Sequence, residues 1–488
     1  MSEKLKILVL SSEVAPFAQV GGLADVAGAL PKALRKLGHD VRVALPRYRQ
    51  IDGEKYGLKR RGGFFQVQLG AESRRTAAFE CTLPNSDVPV YFIWDKRYFY
   101  REGIYGSDDD PQRFTFFGRA VLTLIEKIGW QPDVIHCNDW HTALVPTWLD
   151  TTCQECPFFQ NTATVYSIHN LGYQGIAGRL ILRFAGLDEC LKLMDGVEEP
   201  GQINFMARGI KHADIVSTVS PSYADQILTD EWGGKLAPLL RSRQDRLVGI
   251  LRGLDHERWN PAADPHLALR YSAQNIKDRI ENKRAFLQEV GLPVRDDVPL
   301  VVMLGRLVDQ KGCDIAAPVV RRLLRGDGGK AQFVLLGLGL DKYHAMFSAI
   351  GADFHQHARI FLKFDDPLAH RIYAASDIFL MPSLYEPCGT GQMVAMRYGS
   401  VPVVRAVGGL ADTVSDFDPT TGSGTGFSFQ QYDVNALWGA LNRALTAYQK
   451  RDAWRALQQR GMNTDFSWDA AAPNHVALYH RAIELDRA

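Results

Sequence analysis

The stretch KILVLSSEVAPFAQVGGLADVAGALPKAL, residues 6–34, predicts a strand, a glycine loop and a helix in direct succession. The helix is indicated by apolar residues at helical spacing, namely Leu23, Val26, Ala27, Leu30 and Leu34. Because Gly21 and Gly22 have no side chains, a ligand can approach the backbone N–H groups beside the start of the helix. The loop is therefore predicted to bind an anionic group. Position 19 is Gln, so the loop itself brings no positive charge.

The strand-and-helix alternation continues along the chain. Further strands are predicted at HDVRVALP, PVYFIW, DVIHCND, ATVYSIHN and ADIVSTVS in the first half, and at PLVVMLGRL, QFVLLGLG, RIFLKF, DIFLMPS and VPVVRAV in the second. Strands that alternate with helices favour a parallel α/β sheet, whose ligand-binding residues collect at the carboxyl ends of the strands. The sequence therefore predicts doubly wound α/β architecture in both halves.

The polar, proline-containing segment GILRGLDHERWNPAADP separates the two series and is predicted to be a linker. This gives an N-terminal Rossmann-like domain over 1–255 and a C-terminal Rossmann-like domain over 256–465. The remaining segment, 466–488, is predicted to be a helix that packs across one or both domains.

The motif GGLADV at Gly21–Val26 recurs as GGLADTV at Gly408–Val414, again directly after a strand. The repeat suggests two glycine loops that grip one ligand across a cleft. Coincidental similarity between two helix starts is the alternative.

Composition narrows the class of protein. The 488 residues include 56 Lys and Arg against 55 Asp and Glu, and this balance argues against nucleic acid or an acidic membrane as a partner. The sequence shows no secretory leader and no long apolar segment, and its seven cysteines are scattered, so a cytoplasmic protein without disulfides is expected. Cys153 and Cys156 form an isolated C-x-x-C without a second ligand pair, so neither a metal nor a cofactor is expected.

Charged residues follow the strands of the second half. Arg306 and Lys311 lie after the first strand, where they could neutralise a diphosphate; solvated surface cations are the alternative. Glu386 precedes Gly389 and Gly391, which open a helix. Its carboxylate could bind sugar hydroxyls. Alternatively, it could be an acidic residue at the start of a helix that is stabilised only by the helix dipole.

In the first half, His169, Asn170 and Asp139 follow two strands and could bind substrate hydroxyls or carry a proton, although a histidine at a strand end often has a structural role. We find no Ser-His-Asp arrangement, no phosphate loop of the G-x-x-x-x-G-K-[ST] type and no complete dinucleotide fingerprint.

Over nearly its full length the chain resembles the bacterial glycogen synthases and plant starch synthases. The resemblance rests on several blocks in the same order: SSEVAPFAQVGGLADVAGALP, DVIHCNDWHTALVP, IHNLGYQG, GRLVDQKG, YEPCGTGQM and VGGLADTV. It implies the GT-B fold, with two doubly wound lobes facing a central cleft. It also implies transfer of glucose from ADP-glucose to the non-reducing end of an α-1,4-glucan, with retention of configuration and without a metal.

The resemblance implies roles for particular residues. The catalytic set would be Glu386, Arg306, Lys311 and His169. The substrate-binding set would be Gln19, Gly21, Gly22, Asp25, Asp139, Asn170, Arg252, Phe364, Gly389, Thr390 and Gly391.

Some positions depart from the family pattern. Relatives usually carry Lys where this chain has Gln19 and Asn where it has Arg252, and the stretch NFMARG has gained Arg208. We therefore expect that the missing charge has moved, to Arg252 more readily than to Arg208. A synthase that uses UDP-glucose or another acceptor, a weakened glucan-binding relative and an epimerase on the same fold are the alternatives.

Overall fold

The predicted strands form two separate sheets in the computed structural model, which describes residues 4–154, 156–188, 192–326 and 331–487. The chain divides into two units. Unit 1 comprises the residues through Gly253 together with those from Trp468 onward, and unit 2 runs from Leu254 to Ser467.

Unit 1 contains a nine-stranded sheet in the order β11-β10-β7-β6-β1-β2-β5-β4-β3, with β8 and β9 paired separately. Its strands are β1 (Lys6–Leu10), β2 (Asp40–Pro46), β3 (Lys59–Leu69), β4 (Glu72–Thr82), β5 (Pro89–Trp94), β6 (Val134–Asn138), β7 (Ala163–Ile168), β8 (Ile176–Gly178), β9 (Gln202–Asn204), β10 (Ile215–Thr218) and β11 (Leu247–Gly249). Its first helices are α1 (Gly22–Lys36), α2 (Asp110–Lys127), α3 (Leu144–Asp150), α4 (Ile181–Phe184), α5 (Phe205–His212), α6 (Pro221–Gln226), α7 (Asp230–Gly233) and α8 (Ala237–Ser242).

The strands predicted in this half are confirmed, whereas the hairpin β3–β4 was not predicted. The large sheet is parallel except at β3–β4 and β4–β5, which are antiparallel. Strand β3 lies at the edge of the sheet and is largely exposed at its start, so its sequence KRRGGFFQVQL lacks the continuous apolar run of a buried strand.

Unit 2 contains a six-stranded parallel sheet in the order β14-β13-β12-β15-β16-β17. Its strands are β12 (Leu300–Leu304), β13 (Gln332–Leu336), β14 (Ala358–Phe361), β15 (Ile378–Met381), β16 (Val401–Arg405) and β17 (Phe427–Phe429). Its helices are α9 (Arg279–Glu289), α10 (Cys313–Arg325), α11 (Asp341–Asp353), α12 (Asp366–Ala375), α13 (Gly391–Arg397), α14 (Gly409–Thr413), α15 (Val434–Tyr448) and α16 (Arg451–Asn463). All five strands predicted in this half are confirmed.

The last helix, α17 (Trp468–Asp486), belongs to unit 1. It packs against α1, β7 and β10 and buries Leu478, Tyr479 and Ala482 in the core of that unit. This segment is predicted to pack across one or both domains, and the contacts of α17 make it a part of unit 1. The reason is its apolar face, which completes the cover over the nine-stranded sheet.

Candidate active site

The predicted site residues follow strands at the point where the strand order of each sheet reverses. In unit 1 this switch point lies between β1 and β6, which pair in parallel. In unit 2 it lies between β12 and β15. Loops that leave neighbouring strands at a switch point diverge and create a crevice, which is the usual ligand position in open α/β sheets. The strand order therefore gives each unit its own candidate half-site.

In unit 2 the half-site is built around an ion pair between Lys311 and Glu386. Glu386 is only 5% exposed and also accepts a hydrogen bond from the Ser383 hydroxyl at 3.2 Å. Gly312 lies in the left-handed region (φ 69°), and a Cβ there would lie 2.0 Å from the carbonyl oxygen of Pro382. This glycine lets the Lys311 loop pack directly on the end of β15, so that cation and carboxylate meet.

Arg306 is exposed on the same loop and makes a single long contact, from Nη2 to Gln310 Oε1 at 3.4 Å. Among the described residues no carboxylate lies within salt-bridge distance of its guanidinium. The backbone N–H of Leu384 donates to Gln310 O at 2.9 Å, which ties this loop to the one that carries Glu386. The structure thus brings Arg306, Lys311 and Glu386 onto two joined loops with one uncompensated positive charge.

Gly389, Thr390 and Gly391 lead into α13, and the first N–H groups of such a helix have no intrahelical acceptor. Gly389 has a φ of 73°, which favours glycine. Gly391 packs on an aromatic ring, because a Cβ there would lie 2.8 Å from Phe379. These residues therefore form a tight turn that presents backbone donors beside Glu386.

The second glycine loop, Gly408–Gly409, packs against the loop of Glu386. The N–H of Gly409 donates to the carbonyl oxygen of Glu386 at 3.1 Å. A Cβ at Gly409 would lie 2.4 Å from the Cα of Cys388. This loop therefore supports the position of Glu386.

Phe364 follows β14 and is 85% exposed, the largest exposed fraction among the large apolar side chains described. Leu338 and Leu340 follow the neighbouring strand β13 and are also exposed. The carboxyl edge of this sheet thus carries an accessible aromatic ring.

In unit 1 the glycine loop already binds a carboxylate of the protein itself. Glu13 Oε2 accepts hydrogen bonds from the N–H groups of Val20 and Gly21, at 2.5 and 2.8 Å. Its other oxygen accepts a hydrogen bond from the Tyr105 hydroxyl at 2.6 Å. The N–H of Gly21, predicted to be free for an anionic ligand, is therefore occupied. Glu13 was not recognised from the sequence, although an acidic residue so close to a glycine loop is a usable signal.

Gln19 and Asp25 contact each other. Gln19 Nε2 donates to Asp25 Oδ1 at 3.1 Å, on the exposed side of the loop. The neutral amide of Gln19 thus hydrogen-bonds to the carboxylate of Asp25 and adds no positive charge to the loop.

The two arginines that depart from the family pattern differ in their surroundings. Arg208 is 2% exposed and is held by Glu198, whose carboxylate accepts from Nε at 2.8 Å and from Nη2 at 2.5 Å. Arg252 lies against the glycine loop, where Nη1 donates to the carbonyl oxygen of Gly22 at 3.3 Å. A Cβ at Gly22 would lie 2.4 Å from the same nitrogen. The structure therefore places Arg252, and not Arg208, beside the loop.

His169 is held by Asn138. Its Nε2 lies 2.8 Å from Asn138 Oδ1, while Asn138 Nδ2 donates to Leu10 O at 2.9 Å. Because the amide oxygen accepts, Nε2 carries the proton and Nδ1 is a hydrogen-bond acceptor. Nδ1 is buried and has no partner among the described residues. Burial and the positive charge of Arg252 lower the pKa of His169 to about 3, so the ring is neutral at physiological pH.

Asp139 positions this histidine. It has a φ of 54°, which is unusual for a residue other than glycine, and its Oδ1 accepts from the N–H of His169 at 2.8 Å. Burial raises the pKa of Asp139 to about 7, against the opposing effect of the N–H groups of His169 and Asn170. Asn170 Oδ1 accepts from the N–H of Gly172 at 2.9 Å. The strained aspartate thus fixes the loop after β7, and its carboxylate is committed to the backbone.

Within the described ranges, no group of three or more His, Cys, Asp or Glu residues could hold a metal ion. The same residues include no helix with the length and apolar character needed to cross a membrane.

Comparison with known proteins gives two family matches. Residues 6–242 match the family described as starch synthase catalytic domain, and residues 287–459 match glycosyl transferases group 1. The chain is 46% identical over 490 residues to the glycogen synthase of Moorella thermoacetica, covering 100% of this chain and 99% of that protein. The chain belongs to the glycogen and starch synthase family.

Further relatives and solved structures are similar to this chain over nearly its whole length. The glycogen synthase of Thermotoga maritima is 43% identical over 484 residues, with 98% of this chain and 99% of that protein covered. The catalytic domain of starch synthase IV from Arabidopsis thaliana, bound to ADP and acarbose, is 36% identical with a TM-score of 0.91 and covers 99% of this chain and 100% of that one. Sucrose-phosphate synthase from Thermosynechococcus elongatus (TM-score 0.62, 18% identity, 99% and 100% covered) shares the fold alone. The synthase is therefore a glycosyltransferase of the GT-B fold.

Proposed function

We propose that the enzyme transfers glucose from ADP-glucose to the non-reducing end of an α-1,4-glucan with retention of configuration. The observation that carries this proposal is the Lys311–Glu386 ion pair with the uncompensated Arg306 beside it. The ADP and acarbose bound to the Arabidopsis starch synthase support a nucleoside diphosphate and an oligosaccharide as ligand classes. The free state of the six described cysteines supports a reducing, cytoplasmic location.

In this proposal Arg306 and Lys311 bind the diphosphate of the donor. Negative charge accumulates on the phosphate oxygen as the bond to the glucosyl carbon breaks. Cations held in place before the reaction stabilise that charge without reorganising. Arg306 can form a bidentate hydrogen bond with phosphate, because no carboxylate in the described part of the chain pairs with it.

Glu386 faces the glucosyl group in this scheme. Its carboxylate already accepts from Lys311 and Ser383. It accepts hydrogen bonds from sugar hydroxyls and stabilises positive charge that develops at the anomeric carbon. The backbone N–H groups of Gly389, Thr390 and Gly391 donate hydrogen bonds to the sugar-nucleotide donor beside Glu386.

In unit 1, neutral side chains bind the sugar. The lone pair on His169 Nδ1 has no partner in the described structure, so it can accept a hydrogen bond from a sugar hydroxyl. Asn170 has an amide nitrogen available as a donor, and Asp139 positions both residues. In unit 2, the exposed ring of Phe364 stacks on the nucleobase.

The reaction requires one bond to form as another breaks. The bond between the anomeric carbon and the phosphate oxygen breaks, and the 4-hydroxyl oxygen of the acceptor bonds to the same face of that carbon. The proton of the acceptor passes to the departing phosphate. The side chains of this chain bind, orient and stabilise charge, and none becomes covalently attached to the sugar.

Incorporation of radiolabelled glucose into glycogen tests the proposal. Wild-type protein is assayed with ADP-glucose and, in parallel, with UDP-glucose, and Glu386→Gln is the matched variant of similar shape. We expect incorporation from ADP-glucose, little from UDP-glucose and a loss of at least 100-fold in Glu386→Gln. Equal use of both donors would refute the donor assignment, and no incorporation from either would refute the function.

A further inference from the structure

The glycine loop of unit 1 lies between an internal carboxylate and an uncompensated guanidinium. Glu13 occupies the N–H groups of Val20 and Gly21. On the other side of the loop, Arg252 lies against Gly22. Among the described residues, no carboxylate lies within salt-bridge distance of Arg252, and its buried Nε has no hydrogen-bond partner.

This arrangement changes the electrostatics of the loop. Glu13 occupies the N–H of Gly21, one of the two donors expected to attract an anion, together with that of Val20, and its negative charge also repels a phosphate. The helix dipole of α1 supplies only about half of an elementary charge at its N-terminus. A phosphate at this loop therefore needs a further cation, and Gln19 does not supply one.

The contact of Arg252 with the loop is a single weak hydrogen bond that a ligand can replace. The 3.3 Å bond from Nη1 to the carbonyl oxygen of Gly22 is long for a charged donor. The guanidinium occupies space that is available only because residue 22 has no Cβ. A phosphate oxygen offers the same nitrogen a shorter, charge-assisted hydrogen bond, so ligand binding costs the protein little.

We propose that Arg252 is the cation with which unit 1 binds a phosphate group of the sugar-nucleotide donor. Arg252 also acts on His169, since its charge adds to burial, the larger cause, in lowering the pKa of that ring, which accepts from a sugar hydroxyl in its neutral form. One side chain thus links recognition of phosphate to recognition of sugar. The inference rests on the proposed function, because it takes the anionic ligand to be the donor.

Arg252→Gln tests this inference in the full-length protein. Affinities for ADP and for adenosine are measured by calorimetry, since the two ligands differ only in the diphosphate. We expect Arg252→Gln to weaken ADP binding by about 10-fold or more and to leave adenosine binding unchanged. Arg252→Lys retains part of the ADP affinity. Arg183→Gln, which removes an exposed arginine of the same unit, is the control and leaves both affinities unchanged.

A second variant locates the effect. Gln19→Lys, combined with Arg252→Gln, returns a cation to the same loop and is expected to recover at least half of the lost ADP affinity on a logarithmic scale. Unchanged ADP binding in Arg252→Gln, or an equal loss for ADP and adenosine, would overturn the inference. Absence of any recovery with Gln19→Lys would also overturn it, because the charge would then act elsewhere. Glucose incorporation by the wild-type protein decides the proposed function separately.

Discussion

The two glycine loops have nearly the same sequence and different surroundings. GGLADV at Gly21–Val26 begins a helix of 15 residues in unit 1, whereas GGLADTV at Gly408–Val414 begins one of 5 residues in unit 2. At Gly22 the space of the missing Cβ is filled by the end of the flexible Arg252 side chain, and at Gly409 it is filled by the backbone of Cys388. The same glycine therefore makes room for a cation in one unit and for chain packing in the other.

The charged groups of the two units also differ. Unit 2 holds Glu386 and Lys311 as a directly bonded, largely buried pair. The half-site of unit 1 holds the neutral His169 and Arg252, whose guanidinium has no carboxylate within salt-bridge distance among the described residues. The equivalence of the two motifs in the sequence thus does not imply equivalent roles, and the following variants separate them.

The largest effect is expected at Lys311. Lys311→Ala leaves the carboxylate of Glu386 buried without its cation, so we expect a kcat at least 100-fold lower, together with a lower melting temperature. In the double variant Lys311→Met/Glu386→Gln, the melting temperature recovers and the activity does not. Arg252→Gln is the counterpart in unit 1, and it should melt like wild type because no carboxylate depends on it. Wild-type kcat in Lys311→Ala would contradict the assignment.

Acid is expected to destabilise unit 1. Burial lowers the pKa of His169 and of His141 to about 3 and that of His475 to about 4. Unfolded histidines bind protons below a pH of about 6.5, so the free energy of unfolding decreases as the pH falls from there. Asp139 acts in the opposite direction, because its raised pKa, about 7, lets the folded state bind a proton that the unfolded state lacks.

The pKa values of His39 and His136 are also lowered and those of Asp214 and Asp486 are also raised, so five histidines oppose three aspartates in unit 1. Unit 1 should therefore lose about 3 kcal/mol or more between pH 6.5 and pH 4.5. Hydrogen exchange measured on peptides of unit 1, with peptides of unit 2 as the internal reference, tests this. Asp139→Asn removes one opposing group and should make the loss steeper. A shallower loss in that variant would show that the sign is wrong.

The two glycines provide a matched pair of intermediate effect. In Gly409→Ala the new Cβ meets backbone atoms of Cys388, and we expect a loss of about 2 kcal/mol in the free energy of unfolding. In Gly22→Ala it meets only the end of the Arg252 side chain, so stability should change by less than about 0.5 kcal/mol while the KM for the donor rises. Gly21→Ala, whose new Cβ would have no atom within 4 Å, is the control for stability and should not change the free energy of unfolding. Urea denaturation and donor titrations measure both effects, and equal destabilisation at Gly409 and Gly22 would remove the distinction.

The smallest effect is expected at Phe364. Because this ring is 85% exposed, Phe364→Ala should not change stability, and loss of stacking, worth about 1–3 kcal/mol per base, should raise the donor KM by about 5-fold or more. Phe364→Tyr should be close to wild type. Tyr100→Ala, at an exposed aromatic residue of unit 1, is the control and should leave the KM unchanged. An unchanged KM in Phe364→Ala would place the nucleobase elsewhere.

The sequence predicts the parallel strands well, since each buried strand is a short apolar run that ends in a turn. It also predicts that Arg306, Lys311 and Glu386 follow strands, because charged residues after apolar runs are visible in the letters. Strand order is not visible, so the adjacency of β12 and β15 that joins Lys311 to Glu386 emerges only in the fold. Local sequence patterns could not show which atoms occupy the space of the missing Cβ at Gly22 and at Gly409.

Contacts between distant residues account for the rest. Arg252 lies 230 positions from Gly22 along the chain, and Asn138 lies 31 positions from His169. Such pairs depend on which strands are neighbours and on loop conformations that a periodicity analysis cannot supply. The strained backbone of Asp139 is likewise a tertiary effect, because the surrounding contacts hold it in place.

Helix α17 gives the chain an unusual order of completion during synthesis. Strand β1 is translated long before unit 2, yet the core of unit 1 lacks Leu478, Tyr479 and Ala482 until the ribosome has passed α17. All residues of unit 2 have been made by then. Throughout that interval a face of the nine-stranded sheet, including His136 (the partner of the Tyr479 hydroxyl at 2.9 Å), is uncovered and open to chaperones or to aggregation. A stop codon shortly after Ser467 would therefore damage the half of the protein that was synthesised first.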